Sequence, residues 1–252
     1  MTVIRLDLAY DGTAFHGWAS QSGLRTVQGV LEEALAHLAG EPRRLTVAGR
    51  TDAGAHAAGQ VASFVAPPSL DPAKVQRALN AMLGPEIVVH RARRAPDGFD
   101  ARRSATGRRY VYRIDTARWP NPFEARFAWH RPGGLAVGRM RDAARHLTGE
   151  HDFASFCRTP APPASTVRDL RRLTVSVGGE RVEIRAEANA FLHQMVRSLV
   201  GTLVTVGEGK RDPDDMPGVL AARRRSAAGP VAPPRGLMLL GVTYGRHPLP
   251  DR

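Results

Sequence analysis

The stretch VIRLDLAY at residues 3–10 begins the pattern of elements that decides the fold. Apolar and polar residues alternate along it, so that one face carries Ile4, Leu6, Leu8 and Tyr10. A period of two with one apolar face is typical of a half-buried β-strand. The chain therefore starts with a strand that needs a partner layer, and the segments after it must supply that layer.

A helix is predicted after this strand, in TVQGVLEEALAHLAG at residues 26–40. Its apolar residues follow helical spacing, Thr26 can cap its start, and Gly40 can end it. The remaining elements of the first half are predicted as strands at 43–48, 60–66 and 87–93, with a second helix at 72–83. This β-α-β-β-α-β order is the ferredoxin-like pattern.

The second half repeats this scheme loosely, without a sequence repeat. Strands are predicted at 108–115, 170–177, 181–188 and 237–244, helices at 137–147, 190–206 and 214–222, and a proline-rich loop at 159–164. The chain is thus expected to be an α+β protein with an N-terminal half, residues 1–105, and a C-terminal half, residues 106–252.

The charge of the chain indicates a polyanionic partner. Its 252 residues carry a net charge of +12, and such a surplus favours nucleic-acid binding. A membrane surface or an acidic protein are the alternatives that charge alone leaves open. Of the 36 basic residues only Lys74 and Lys210 are lysines. Codon bias in a GC-rich genome can explain that preference for arginine, but it cannot explain the surplus over acidic residues.

Composition also indicates a cytoplasmic protein without a membrane partner. The start of the chain lacks the layout of a signal peptide. The most apolar long window, residues 188–207, contains Asn189, His193, Gln194 and Arg197 and is too polar for a membrane span. The single cysteine, Cys157, excludes an internal disulfide and fits a reducing compartment.

The segment AGRTDAGAH at residues 48–56 concentrates reactive groups on a loop between two predicted strands. Asp52 could act as a nucleophile or general base, and Arg50 could hold a phosphate. The alternative is a structural turn, since Asp and Thr between glycines readily bond to nearby backbone. Local sequence does not decide between these interpretations.

Arg197 is the only permanently charged side chain between Glu187 and Glu208 in a predicted apolar helix. A buried guanidinium there would need a carboxylate or several acceptors, because its desolvation is otherwise uncompensated. Asp52 is a candidate partner, and the pair would keep that carboxylate ionised. Alternatively, Arg197 extends along its aliphatic stem to the surface.

Aromatic and basic residues alternate in RRYVYR at residues 108–113. Tyr110 could stack on a nucleobase while neighbouring arginines contact phosphates. The alternative is a half-buried strand with its tyrosines in the core.

Several other chemistries lack their sequence motifs. The chain has no G-x-S-x-G, no G-x-x-x-x-G-K-[ST] and no strand followed by G-x-G-x-x-G. With one cysteine and dispersed histidines, no zinc-ligand spacing occurs. A dinucleotide cofactor and a zinc site are therefore not expected.

Seven blocks, in order and over nearly the whole chain, resemble the tRNA pseudouridine synthase A family. They are DGTAFHGW (11–18), TVQGVLEEAL (26–35), AGRTDAGAHA (48–57), RRYVYRI (108–114), GEHDFASF (149–156), FLHQMVRSLVGTL (191–203) and APPRGLMLLGVTY (232–244). The chain departs from the family's usual residues at Ala19, where Gln is frequent, and at Ala55, where Val is common. Neither position has a proposed catalytic role.

The resemblance implies a role for each candidate residue. Asp52 falls on the family's nucleophilic aspartate, Tyr110 on its substrate-contacting tyrosine and Arg197 on the arginine of its Val-Arg helix motif. Arg50 falls on an arginine that helps to hold the target nucleotide out of the stack.

The resemblance also implies the assembly and the reaction. It implies two ferredoxin-like halves that share a central antiparallel β-sheet, with helices on one face and the active-site cleft between the halves. A homodimer would bind tRNA across both subunits and convert uridine to pseudouridine at positions 38, 39 and 40 of the anticodon stem-loop, without a cofactor. Two competing classes are a non-catalytic RNA-binding module, which would not need Asp52, and a small-molecule α/β enzyme, which fits the charge poorly.

Overall fold

A computed structural model describes residues 2–158 and 165–245 of the chain. The described residues group into two units: 2–106 together with 239–245, and Gly107–Met238. The division after residue 106 lies one residue from the predicted boundary. Residues 239–245, which the prediction assigns to the C-terminal half, belong to the first unit. The proline-rich loop expected at 159–164 lies outside the described residues.

The first unit contains two helices and most of five strands. Its elements are β1 (Thr2–Tyr10), α1 (Val27–Ala39), β2 (Thr46–Val47), β3 (His56–Ala66), α2 (Pro72–Leu83), β4 (Ile87–Arg94) and the larger part of β10 (Leu237–Tyr244). The strand order is β4-β1-β3-β10, and β2 pairs with β3. Strand β1 runs antiparallel to both β3 and β4, so the first strand of the chain is central in this unit.

Local sequence explains why these elements form where they do. Ile4, Leu6 and Leu8 are completely buried on β1, as the alternation predicts. Helix α1 begins where the Thr26 hydroxyl accepts a hydrogen bond from the Gly29 N–H at 3.2 Å. It ends at Gly40, whose φ of 72° is left-handed and therefore favours glycine. Helix α2 packs against α1 and β4, which covers the apolar face of this unit.

The second unit repeats the alternation of strands and helices. Its elements are β5 (Ala105–Asp115, of which the first two residues belong to the first unit), β6 (Trp129–His130), α3 (Val137–Leu147), β7 (Gly149–Asp152), β8 (Val167–Gly178), β9 (Arg181–Ala188), α4 (Met195–Gly207) and α5 (Met216–Ala221). The order β5-β9-β8-β7 is antiparallel throughout, and β6 lies parallel to β5. Helix α3 packs against β8 and α4.

The main differences from the predicted elements are at their ends. Strand β3 begins four residues earlier than predicted because Ala57 pairs with Tyr10 of β1. Helix α4 begins at Met195 and not at 190, since Gln194 before it has a φ of 62°, which ends helical geometry. Strands β6 and β7 were not predicted, because two- and four-residue segments show no periodicity.

The expectation of an α+β fold with mostly antiparallel strands is confirmed. The active-site cleft between the halves stays a prediction. Among residues 2–158 and 165–245, no helix combines the length and apolar character needed to cross a membrane.

Candidate active site

The loop that carries Asp52 connects β2 to β3 in the first unit. Asp52 is half-buried and Arg50 is exposed. The Ala55 N–H donates to the Asp52 carbonyl at 3.1 Å, so the loop contains a tight turn. The turn that sequence offered as an alternative to catalysis is therefore present, but this hydrogen bond uses the backbone of Asp52.

A second loop, with the sequence DGTAFHGW at residues 11–18, holds the Asp52 loop in place. The Trp18 N–H donates to the Thr51 carbonyl at 3.0 Å, and the Gly54 N–H donates to the Phe15 carbonyl at 3.2 Å. Backbone bonds therefore tie the residues on both sides of Asp52 to the same neighbouring segment.

Two glycines allow this close approach. A Cβ at Gly12 would clash with the Ala55 carbonyl oxygen, and a Cβ at Gly17 would lie 2.9 Å from the Thr51 carbonyl oxygen. Gly17 also has a φ of 88°, which a residue with a side chain adopts only with strain. The spacing of these glycines in the first family-like block thus has a direct structural reason.

Below the loop lies a buried hydrogen-bonded group that the sequence did not reveal. The Tyr10 hydroxyl is 2.8 Å from Thr51 Oγ1. The Gln60 side-chain amide donates to the Gly49 carbonyl at 2.7 Å and to the Tyr10 hydroxyl at 3.3 Å. The one sequence signal is a glutamine in the mostly apolar strand GQVASFVA, at residues 59–66.

Burial also sets the protonation of Tyr10. Desolvation raises the pKa of Tyr10 to about 12, against the smaller lowering effects of its hydrogen bonds with Thr51 and Gln60. The phenol therefore keeps its proton at physiological pH and stays available as a hydrogen-bond donor.

His56, at the start of β3, joins the two loops at their other end. Its Nδ1 accepts from the Gly12 N–H at 3.0 Å and lies 3.1 Å from Asp11 Oδ1. We assign His56 a structural role, because its ring is 1% exposed.

In the second unit, Tyr110 lies in the middle of β5. It pairs with Ala186 of β9, and its side chain is largely buried, with 6% of the residue exposed. Its ring packs edge-on against Phe191 with the ring centroids 5.1 Å apart. This is the packing expected for a core tyrosine, and any contact of its ring with substrate stays a prediction.

Arg197 lies in the first turn of α4 and is half-buried. Its Nε donates to the Ala232 carbonyl at 2.7 Å, and the Ala232 N–H donates back to the Arg197 carbonyl at 3.1 Å. The first bond holds the guanidinium at its Nε, and the second ties the Arg197 backbone to the same residue.

The segment at residues 229–236, which contains Ala232, also packs closely on its neighbours. A Cβ at Gly201 would clash with the Pro230 carbonyl oxygen, and the Tyr112 hydroxyl donates to the Pro233 carbonyl at 2.7 Å. Burial raises the pKa of Tyr112, and the charges of Arg197 and Arg235 partly oppose that rise. The guanidinium of Arg197 is therefore placed by a chain segment about 35 residues away in sequence.

The sequence-predicted residues are divided between the two units. Arg50 and Asp52 share one loop of the first unit, whereas Tyr110 and Arg197 belong to the second unit. The pairing of Arg197 with Asp52 stays a prediction. Within the part of the chain that the structure describes, no cluster of three or more His, Cys, Asp or Glu side chains could hold a metal ion.

Comparison with known proteins adds a family assignment to this geometry. A family model described as tRNA pseudouridine synthase matches residues 8–102 and 143–245. Asp52 and Arg197 lie inside the matched ranges, and Tyr110 lies between them.

Curated relatives match over nearly the whole chain. The tRNA pseudouridine synthase A of Mesorhizobium japonicum is 45% identical over 247 residues, covering 97% of this chain and 100% of its own. The protein of the same name from Frankia casuarinae is 49% identical, covering 97% and 90%, and that from Corynebacterium glutamicum is 46% identical, covering 96% and 89%. A chain in a crystal structure of a Cbf5-Nop10-Gar1 complex aligns over 82% of this chain and 45% of its own, at 15% identity. Its TM-score of 0.36 is too low to support any statement about this chain.

Proposed function

The chain belongs to the tRNA pseudouridine synthase family, and we propose that it converts uridine to pseudouridine at positions 38, 39 and 40 in the anticodon stem-loop of tRNA. Membership confirms the family resemblance of the seven sequence blocks and makes the chain an isomerase that acts on tRNA. The observation that carries the finer proposal is the backbone-tethered loop that presents Asp52 within Arg-Thr-Asp-Ala-Gly.

The reaction exchanges one bond for another within the same nucleotide. The bond from uracil N1 to ribose C1′ breaks, and the uracil turns. C5 then forms a new bond to C1′. The proton on C5 is lost to solvent, and N1 takes up a proton from solvent. Because product and substrate are isomers, no oxidant or reductant is consumed and no cofactor is needed. The target base must leave the stack before a side chain can reach it, so the proposal includes base flipping.

Asp52 is the proposed nucleophile. Its carboxylate would attack C1′ of the ribose or C6 of the uracil, or would remove a proton from the sugar. Each route requires an ionised carboxylate held at one position relative to the nucleotide. The hydrogen bonds that hold the loop on both sides of Asp52 support such a role, because they restrict the movement of its backbone.

Three further side chains complete the proposed site. Arg197 would pair with Asp52, keeping it ionised and oriented, and its own orientation is set by Ala232. Tyr110 would contact the target uracil through the part of its side chain that is not packed in the core. Arg50, which is exposed, would help to hold the flipped nucleotide through its phosphate.

The proposal also includes the biological context. The chain would act in the cytoplasm as a homodimer that binds one tRNA across both subunits. The net charge of +12 supports the polyanionic partner. A non-catalytic RNA-binding protein would have the same charge, and the following experiment separates the two functions.

The test is to incubate purified protein with unmodified tRNA and to map pseudouridine by carbodiimide-dependent primer extension. Stops at positions 38, 39 and 40 are expected with the native chain. Asp52→Asn keeps the shape of the side chain but removes the anion, so turnover should become undetectable while tRNA binding changes by no more than a few-fold.

The matched control is Asp97→Asn, which removes an exposed carboxylate from another loop of the same unit and should leave turnover unchanged. Substantial pseudouridine formation by Asp52→Asn contradicts the nucleophile assignment. A loss of folding in that variant instead identifies Asp52 as a structural turn residue.

A further inference from the structure

The buried group beneath the Asp52 loop joins three side chains that lie far apart in sequence. Tyr10 ends β1, Gln60 lies on β3, and Thr51 immediately precedes Asp52. We propose that Tyr10 and Gln60 are positioning residues that hold the Asp52 carboxylate in its reactive place by binding Thr51 and the Gly49 carbonyl. This inference rests on the proposed catalytic role of Asp52.

The Gln60 amide donates both of its recorded hydrogen bonds. Its nitrogen carries two protons, and it lies 2.7 Å from the Gly49 carbonyl and 3.3 Å from the Tyr10 oxygen. The Tyr10 and Thr51 hydroxyls are 2.8 Å apart, and either of them can be the donor. The other end of the Gln60 side chain is fixed too, since its Oε1 accepts from the Val61 N–H at 3.1 Å. Hydrogen bonds thus connect Gln60 through Tyr10 to Thr51.

Water cannot replace these bonds without a rearrangement of the core. Gln60 is 0% exposed, Tyr10 4% and Thr51 7%. A buried polar group that loses its partner carries the full desolvation penalty, so each member keeps the next in place. The raised pKa of Tyr10, about 12, leaves the phenol protonated over the whole range in which the enzyme would work.

The position of the bonds relative to Asp52 distinguishes them from ordinary core hydrogen bonds. The bond from Gln60 holds the Gly49 carbonyl, three residues before Asp52. The bond between Tyr10 and Thr51 holds the side chain directly before Asp52. Tyr10 and Gln60 themselves belong to paired strands, in which Leu8 lies opposite Gln60 and Ala57 opposite Tyr10. The loop is therefore attached to two strands that are paired with each other. A rotation of the Thr51 side chain or a shift of Gly49 would move the Asp52 carboxylate, and a displacement of about 1 Å can slow a reaction ~100-fold.

The first experiment compares two hydroxyl deletions in the same unit. Tyr10→Phe removes the hydroxyl that is bonded to Thr51, whereas Tyr244→Phe removes a hydroxyl that donates to the Ala101 carbonyl at 2.7 Å. Tyr10→Phe loses the hydroxyl's bonds with Thr51 and Gln60, Tyr244→Phe loses its bond to Ala101, and both variants should show a lower thermal midpoint. Only Tyr10→Phe should lower kcat for pseudouridine formation, by roughly 10- to 100-fold, with KM for tRNA within about twofold of the native value.

A second set tests whether the group acts as one unit. Thr51→Ser keeps the hydroxyl and should retain kcat, whereas Thr51→Val removes it and should match Tyr10→Phe. The double variant Tyr10→Phe/Thr51→Val should be no slower than Tyr10→Phe alone, because Thr51→Val removes a bond that Tyr10→Phe has already removed. Gln60→Glu keeps the size of the side chain but replaces the NH2 group, which donates to Gly49 and Tyr10, with a carboxyl oxygen. It should also lower kcat with little change in KM.

The outcomes separate this inference from the function on which it rests. If the native chain forms no pseudouridine in tRNA, the proposed function and the positioning role both fail. If the native chain is active and Asp52→Asn is not, then equal kcat values for Tyr10→Phe and Tyr244→Phe contradict the positioning role alone. If the fold-losses in kcat of Tyr10→Phe and Thr51→Val multiply in the double variant, that contradicts the positioning role as well. Such a result means that the two side chains make separate contacts that act independently.

Discussion

At the scale of single residues, the two charged groups proposed for catalysis are placed in different ways. Asp52 is positioned through its backbone and through its neighbours, by Trp18, Ala55 and Thr51. Arg197 is positioned through its own side chain, whose Nε is bound to the Ala232 carbonyl. The hydrogen bonds of its neighbours restrict the backbone at Asp52, and a guanidinium bound through its Nε keeps further N–H donors on its other two nitrogens.

The first prediction concerns Arg197. Replacing it by Met removes the donor to Ala232 and leaves that carbonyl unsatisfied, which should lower the free energy of unfolding by about 1–3 kcal/mol. Because Arg197 is half-buried, this is less than the ~3–5 kcal/mol expected when one partner of a fully buried ion pair is removed. Thermal or denaturant unfolding at matched salt and pH measures the loss.

The pairing of Arg197 with Asp52 is tested by a double-mutant cycle with Asp52→Asn. If the two groups form an ion pair, the sum of the stability losses of the two single variants should exceed the loss in the double variant by a coupling of ~0.5–3 kcal/mol. Losses that add within about 0.5 kcal/mol show that Arg197 acts through packing or RNA contact and not through Asp52.

At the scale of elements, glycines decide which segments can approach one another. Helix α4 carries Gly201 where the segment 229–236 crosses it, and Gly229 of that segment would place a Cβ 2.8 Å from the Thr202 Cα. The same principle operates in the first unit, where Gly12 and Gly17 admit the Asp52 loop. In both units a backbone-to-backbone approach fixes a segment that carries or supports a proposed catalytic residue.

Gly201→Ala should therefore affect stability and activity together. The added Cβ meets the Pro230 carbonyl oxygen, which is backbone and cannot rotate away, so a loss of about 1–3 kcal/mol or more is expected. The segment 229–236 should shift and release the Ala232 contact with Arg197, which lowers kcat. Gly138→Ala in α3 is the control, because a Cβ there meets nothing within 4 Å and alanine favours a helix by about 1 kcal/mol. Calorimetry and the turnover assay on both variants check this, and equal behaviour of the two contradicts it.

At the scale of the whole molecule, charge is the dominant property. A net charge of +12 means that a surplus of basic side chains remains even if every acidic residue pairs with a basic one. Many described arginines do form ion pairs, such as Arg113 with Glu183 at 3.1 Å and Arg25 with Glu86 at 2.7 Å. Pairs of this kind are half-exposed and contribute little to stability. The surplus of basic over acidic side chains is therefore better explained by a polyanionic substrate than by a need to stabilise the fold.

Binding of tRNA should accordingly weaken steeply with salt, because arginines that contact phosphates release counterions. A log-log plot of affinity against salt concentration, measured by filter binding, should be linear with a clearly negative slope. Arg50→Gln should make that slope shallower by roughly one unit if Arg50 contacts a phosphate. A nearly flat plot for the native chain contradicts an extended basic tRNA surface, and an unchanged slope for the variant removes Arg50 from it.

The sequence by itself determined the elements whose signals are local, and through its motifs it determined the family. Helix α1 is predicted by the Thr26 cap and Gly40, and α2 by the proline at its start. Strand β1 is predicted by its alternation of apolar and polar residues. Each of these signals lies within a few residues along the chain. The family blocks placed Asp52 and Arg197 on the candidate list for the same reason, since each lies in a short contiguous motif.

Only the tertiary structure decided what surrounds those residues. The bond between Tyr10 and Thr51 joins residues 41 apart, the one from Gln60 to Tyr10 joins residues 50 apart, and the one from Arg197 to Ala232 joins residues 35 apart. Hydrophobic periodicity and helix caps do not predict a hydrogen-bond partner so distant in sequence. Which strand or segment lies opposite a given residue depends on how the whole unit packs. For the same reason β3 started earlier and α4 later than their local patterns predict: pairing with Tyr10 extended the strand, and the left-handed backbone at Gln194 delayed the helix.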